Sequence, residues 1–289
     1  MSNSDIADYR KILLRALEAF SKLCEEQGIR WWMAFGSAIG VARHQGFIPW
    51  DDDIDVLMPR EDYERFLGLK VHGYSIVATR VPGCGEDCPF SYAKFCDSST
   101  TVWERKMYPS VFGVFIDVFP MDEAGAGVKR LHEKYRDVSR KYKRSLRVHY
   151  PGEIRHCLSK GNLTGAAKIL LDEWWYAARL DHWRKAFLDV EEEAAKGRGD
   201  SYVVMGTITS PCGLTMDKNL FAQTLMMPFE GTMVPMPSGY DEILKLFYGD
   251  YMQLPPPDKR VSGHYHYFVD LERGLSLQEA VEIVSGREE

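Results

Sequence analysis

The sequence predicts an α/β (α+β) fold, a mixed-sheet core with a helical insertion, and three observations carry that reading. Asp53-Ile54-Asp55-Val56 alternates charged and apolar residues with the two-residue period of a strand. Val114-Phe115-Ile116-Asp117-Val118-Phe119 is an apolar run of strand composition broken by one charge. Between about 128 and 198 the pattern shifts to long helical stripes, and short strands and turns resume beyond Gly197-Arg198-Gly199-Asp200. The expected organisation is a first part of the core over 1–127, a helical insertion over 128–198, and a part over 199–289 that completes the core.

In chain order, Ile6, Tyr9, Leu13, Leu17, Phe20 and Cys24 recur at helical spacing and predict an opening helix. That stretch lacks the basic start and continuous apolar centre of a signal peptide. A Gly36-Ser37 turn follows the apolar residues from Trp31, and Ile48-Pro49-Trp50 then leads into the acidic run Asp51-Asp52-Asp53-Ile54-Asp55. Leu131, Tyr135, Val138, Tyr142 and Leu146 form one helical stripe, and a second helical piece is expected from about Ala166 to Val190. Trp174, Trp175 and Trp183 recur there at helical spacing and are read as core. A last helix is placed near Tyr240 to Phe247.

The acidic run holds the chemistry. On a strand, Asp53 and Asp55 point to one face while Ile54 and Val56 enter the core. Adjacent carboxylates repel unless a cation lies between them, and hard oxygen ligands on rigid backbone suit Mg²⁺ against substrate phosphates. A Gly36-Ser37 turn can bring N–H groups and a hydroxyl to the same phosphates. The run reads as metal-assisted phosphoryl transfer. An EF-hand loop from Asp51 is excluded, because Val56 and Asp62 stand where Gly and Glu are needed. Asp51-Asp52-x-x-Asp55 also fits the DDxxD string of helical isoprenoid synthases, but Pro49 and the alternation favour a strand. The bland alternative is a solvated acidic turn, and Asp51 and Asp52 either touch metal or only shape that turn.

The segment GSAIGVARHQGFIPWDDDIDVLMPREDYERF resembles the LicD family of phosphotransferases, related to the fukutin proteins. Lys94 to Asp122 and Phe229 to His266 resemble the same family, in the same order along the chain. The resemblance implies a nucleotidyltransferase-like fold and a third acidic residue beside the pair, for which Asp117 is the matching position. Asp53, Asp55 and Asp117 are then the expected catalytic and metal-holding residues, with Mg²⁺ (Mn²⁺ as an alternative) as cofactor. Asp117 would also accept the acceptor hydroxyl's proton. The implied reaction moves phosphocholine from CDP-choline, or a similar phospho-alcohol from its CDP-alcohol, to a hydroxyl of a glycan or lipid-linked oligosaccharide, as in lipopolysaccharide or teichoic acid. Transfer of a nucleotidyl group by the same metal site, or noncatalytic glycan or nucleotide binding, are the alternatives.

Phosphate needs cations as well. Gly36, Ser37, Arg43, His44, Lys94, Arg260 and His266 are the expected substrate- and phosphate-binding residues, with Arg able to grip two oxygens at once. His264 and His266 alternate with Tyr265 and Tyr267, which suggests a strand edge more than a metal site. A quaternary ammonium is held by aromatic faces, and Trp50, Trp103, Tyr265 and Tyr267 are candidates. Lys129 to Arg147 concentrates nine basic residues against Glu133 and Asp137. That helix is either a solvated face or a peripheral contact with an anionic acceptor or membrane.

Composition sets the outer limits. At 289 residues the chain can bury a sizeable core, and its net charge of −6 gives no reason to expect nucleic-acid binding. No apolar run reaches the length of a transmembrane helix, and a cytoplasmic location is expected. Six cysteines in this length form no disulfide scaffold. Cys84, Cys88 and Cys96 crowd together, but irregular spacing and the lack of a fourth ligand favour reduced thiols over zinc.

Overall fold

The structure, a computed structural model, describes residues 3–81, 88–148, 151–206, 214–262 and 264–288. Helix α1 (Asn3–Gln27) precedes strand β1 (Trp32–Met33), helix α2 (Phe35–Ile39), a π-turn over Gly40–His44, strand β2 (Asp55–Pro59) and helix α3 (Arg60–Leu67). Strands β3 (Tyr74–Val77), β4 (Ala93–Asp97), β5 (Thr101–Trp103) and β6 (Phe115–Ala124) follow. The helical stretch comprises α4 (Val128–Ser145), α5 (Pro151–Ser159), α6 (Leu163–Trp175) and α7 (Leu180–Ala195). Strands β7 (Ser201–Val203), β8 (Met216–Asp217), β9 (Thr224–Phe229) and β10 (Thr232–Pro237), helix α8 (Tyr240–Tyr248), strand β11 (Phe268–Asp270) and helix α9 (Leu277–Glu288) complete the order.

The main sheet runs β1-β2-β6-β4-β3, with β7 and β8 continuing from the far end of β6. Only β2 and β6 are parallel, and the other pairs are antiparallel, which makes the sheet mixed as expected. Apolar side chains are buried on both of its faces. Val56, Met58, Ile116 and Val118 join the large core that α1 closes with Tyr9, Leu13, Leu17, Phe20 and Cys24. Leu57, Phe119 and Met121 join a second cluster with Trp32 and Ile243. Burying each of these larger side chains contributes roughly 1.5–3 kcal/mol.

The helical stripe is met in α4, where Tyr135, Tyr142 and Leu146 pack on Phe187, Val190 and Ala194 of α7. The second helical piece departs from expectation. It breaks over Tyr176–Arg179 into α6 and α7. Trp174 and Trp175 are 68% and 45% exposed, so they are surface and not core, while Trp183 packs against the α4–α7 cluster. Periodicity identified an apolar face without saying which way it points. Cys24, Cys88 and Cys96 are buried, and burial pushes the Cys88 thiol up to about 12, away from the thiolate that zinc requires. Cys84 lies outside the described residues. None of the helices among the described residues is long and apolar enough to cross a membrane.

Candidate active site

Sheet register builds the site. Asp55 on β2 is the cross-strand partner of Asp117 on β6, and Asp117 is the partner of Lys94 on β4. Directly opposed residues share a face, so the three side chains form a row across the sheet. The Asp117 N–H donates to the Ile54 carbonyl at 2.9 Å, locking the acidic segment to β6 one residue before β2 begins. Asp53 thus lies in extended chain just ahead of the strand.

The loop leading in is held from outside. The Arg10 guanidinium on α1 donates to the carbonyls of Ile48, Pro49 and Asp51 at 2.9, 3.1 and 3.0 Å. Phe35 has a left-handed backbone (φ 45°), a strained state for an aromatic residue. Its ring is braced between Phe119 and Phe247 at 5.1 and 5.8 Å. Gly36 and Ser37 accordingly belong to the short helix α2 and not to an open turn. Ser37 is 5% exposed and its Oγ accepts the Asp55 N–H at 2.9 Å, so it positions the acidic strand and does not face a phosphate. Gly36 lines the site, and a Cβ there would stand 2.9 Å from Asp51 Oδ2.

Asp51, Asp52, Asp53, Asp55, Asp117 and Glu104 line one cleft of about 540 Å³. Burial, together with the charge of Asp53, pushes Asp51 up to about 8. Burial also raises Asp53, and it raises Asp55 well above the carboxylate range with help from Asp53 and Asp117. Burial lifts Asp117 to about 6 although Lys94 pulls the other way. Asp52 differs: burial opposes its charge, but hydrogen bonds from His264 and Ser262 hold it below the usual range.

Four acids disfavoured in their charged form around one opening are what a hard divalent cation offsets. Among the described residues no ion pair reaches Asp51 or Asp55. Asp51, Asp52 and His264 also bring ligand-type atoms within 4.8 Å of one another. In that trio His264 Nδ1 is already 2.8 Å from Asp52 Oδ1, and the hydrogen bond to Asp52 raises the imidazole to about 9. Its imidazole is thus already committed to Asp52, while Asp51, Asp53, Asp55 and Asp117 line the same cleft.

Several of the expected residues have partners within the fold. Lys94 is fully buried, donates to Asp117 Oδ1 at 2.8 Å and lies 3.6 Å from Glu104, with its ammonium 3.3 Å from the centre of the Phe115 ring. It is a partner of the carboxylates and not a free phosphate ligand. Arg43 and Arg260 line a neighbouring cleft with Trp50, and Tyr248 borders both clefts. His44 is tied to Arg43, whose Nε donates to its Nε2 at 2.9 Å.

His264 belongs to no strand and bridges Asp52 and Asp53, the latter at 3.1 Å. His266 does line the acidic cleft, beside the Tyr9 ring at 5.4 Å. Trp50, Trp103, Tyr265 and Tyr267 are not among the residues lining the acidic cleft. The Trp103 indole donates to Arg105 and Tyr108 carbonyls, and Tyr265 is exposed. The aromatic residues that line that cleft include Tyr9, Phe35, Tyr92, Phe119 and Tyr248. The signal for Glu104 and His264 lay within the segments resembling the family, but neither side chain could be placed without the fold.

The comparisons meet this geometry. Residues 28–150 match the family described as LicD/FKTN/FKRP, nucleotidyltransferase domain. Over 280 residues the chain is 28% identical to the lipopolysaccharide cholinephosphotransferase LicD of Haemophilus influenzae, covering 91% of this chain and 97% of that protein. Residues 28–150 thus carry a LicD-family domain. Shorter matches join it to uncharacterized proteins of Rickettsia typhi (31% over 99 residues, 30% of this chain and 32% of that protein) and Rickettsia prowazekii (32% over 68 residues, 22% and 26%). The family match spans α2, the acidic segment, β2, β4 and β6, so every carboxylate named above lies within it.

Proposed function

We propose that this chain is a phosphotransferase that moves phosphocholine from CDP-choline to a hydroxyl of a surface-glycan sugar. The observation that carries the proposal is the register-built meeting of Asp55 and Asp117, with Asp51 and Asp53 at the same opening. The Haemophilus influenzae relative, named for cholinephosphate transfer to lipopolysaccharide over nearly its whole length, supports the group and the acceptor class.

Asp53, Asp55 and Asp117 would hold Mg²⁺, with Asp51 completing the set. The ion, when bound, offsets charge on the donor's diphosphate oxygens. Lys94 fixes Asp117 through Oδ1 and leaves its other oxygen to the cleft. Asp117 is then placed to accept the proton of the acceptor hydroxyl as that oxygen attacks the distal phosphorus. The bond from that phosphorus to CMP breaks and CMP leaves. Tyr92, Phe119 and Tyr248 line the cleft and are the aromatic candidates for holding the quaternary ammonium, which has no N–H to donate. The test is release of CMP from CDP-choline with Mg²⁺ and a glycan acceptor. Asp55→Asn and Asp117→Asn should each lower turnover by roughly a hundredfold or more, the scale of losing charge stabilisation at a reacting group. Native turnover in either variant would overturn the assignment.

A cytoplasmic location accords with the free thiols of Cys24 and Cys88. The proposed membrane contact falls less on the basic helix itself. Within α4, Lys134 pairs with Glu193, Arg140 and Lys141 with Asp137, and Arg144 with Asp172. The neighbouring α6 instead exposes Leu163, Leu170, Leu171 and Trp174 at helical spacing, flanked by exposed Lys160 and Lys168. An apolar stripe with basic flanks suits the interface of an anionic bilayer. Leu170→Glu with Trp174→Glu should abolish sedimentation with phosphatidylglycerol vesicles, and unchanged sedimentation would refute the contact.

A further inference from the structure

We propose that Arg105 and Lys143 form a phosphate-binding pair in the acidic cleft, so that the helical segment contributes directly to substrate binding. The inference deepens the phosphotransferase reading and rests on it for the identity of the ligand. Both residues line the cleft that holds Asp51, Asp53, Asp55 and Asp117. Arg105 follows β5, and its carbonyl accepts the Trp103 indole N–H at 3.0 Å and the Tyr108 N–H at 2.9 Å, which pins the loop. Lys143 is half-buried in the last turn of α4.

The two charges are close enough to act on each other: burial, and then Arg105, hold the Lys143 ammonium below its ordinary range. Among the described residues, neither side chain has a carboxylate at ion-pair distance. On the same helix Lys134, Arg140, Lys141 and Arg144 each have one, and Lys143 is the basic residue of α4 that lines the acidic cleft. Lys143, half-buried without a counter-charge and facing the charge of the exposed Arg105, is unfavourable until an anion joins the two. They share the cleft with the carboxylates, and a diphosphate ester complements both charge signs. Its oxygens would take charge-assisted bonds from Arg105 and Lys143 on one side and lie against a cation held by the aspartates on the other.

The ligand's phosphate could belong to the donor's diphosphate or to a phosphorylated acceptor, and both present the same oxygens. The test uses the full chain and titrates inorganic pyrophosphate, CDP and cytidine by calorimetry. Lys143→Met and Arg105→Gln should each weaken pyrophosphate and CDP by roughly 10–100-fold, the loss of one charge-assisted contact, and leave cytidine unchanged. Lys143→Arg should restore most of the affinity. Melting temperatures within about 2 °C of wild type keep the comparison free of folding effects.

Pyrophosphate affinity within twofold of wild type in Lys143→Met would overturn the pair. So would a wild-type protein that binds no pyrophosphate. Steady-state kinetics then separates the sources: a raised KM for CDP-choline alone assigns the donor's diphosphate, and a raised KM for the glycan alone assigns an acceptor phosphate. If pyrophosphate binding depends on the pair while CDP-choline is never turned over, the anion site stands and the choline reading falls.

Discussion

Replacing Lys94 with Met tests how the acidic cleft is held together. Lys94 is fully buried, bonded to Asp117 at 2.8 Å and 3.6 Å from Glu104. Met keeps the length and apolar stem that pack among Phe90, Phe112 and Phe115 but removes the charge. Two carboxylates are then left in a site that already disfavours their ionised form. Breaking a buried pair by deleting one member costs roughly 3–5 kcal/mol. For a chain of 289 residues, an unfolding entropy of about 2.1 cal/mol/K per residue turns that into a melting shift of roughly 5–8 °C. The assay is urea unfolding of wild type, Lys94→Met, Asp117→Asn and the double variant at pH 7.5 without divalent cation. Asp117→Asn alone should cost less, because it also removes repulsion toward Asp55 and Asp53. The double variant should be more stable than the sum of the single losses by about 2 kcal/mol or more. Strict additivity within about 0.5 kcal/mol would show that the two side chains do not act as a pair, and the account of the site would fail with it.

Three further outcomes are expected. Gly36→Ala should lower turnover at least tenfold with little change in stability, because the added methyl meets Asp51 Oδ2 at 2.9 Å and displaces it; unchanged kinetics would remove Asp51 from the site. Arg10→Met should destabilise by about 2–3 kcal/mol and lower turnover, since one guanidinium holds the carbonyls of Ile48, Pro49 and Asp51; a denaturation midpoint equal to wild type would refute the clamp. Burial raises Glu191 from 4.5 to about 7, so its contribution to stability is complete below about pH 4.5 and is lost as pH rises through 7. That loss amounts to about 3 kcal/mol, so Glu191→Gln should gain on wild type across this window, and a constant difference would contradict the burial.

Where local pattern decides structure, the sequence was legible. The opening helix, the α4 stripe and the helix near Tyr240 follow from apolar spacing alone. Asp117 stood out because a lone charge in an apolar strand needs a partner, and β6 places it opposite Asp55. Register was not legible. Lys94 was read as a phosphate ligand because it is a cation opening a segment that resembles the family, whereas the β4–β6 pairing sets it on Asp117. His264 was read as a strand edge because it alternates with tyrosines, yet its segment forms no strand and its ring spans Asp52 and Asp53. Arg43 and Arg260 are basic residues in matching motifs that the fold carries to the next cleft. Lys143 was hidden among the basic residues of α4, and only the fold shows that it lines the acidic cleft.

Charge balance explains why these distant segments must meet. Asp51, Asp53, Asp55, Asp117 and Glu104 share the opening, while Lys94 and His264 are the cations bonded to that group. Each holds one end: Lys94 draws Asp117 and Glu104 together on the β4 side, and His264 fixes Asp52 and Asp53 on the loop side. Neither reaches Asp51 or Asp55, so the negative surplus is concentrated between the two anchors. A monovalent side chain placed there would neutralise the site permanently and leave nothing for a divalent cation to offset. Arg105 and Lys143 stand in the same cleft without carboxylate partners among the described residues, and under the proposal their charge stays available to an anion. The fold thus separates the acids and bases of one cleft where ordinary pairing would have cancelled them. A substrate that brings phosphates can then engage both.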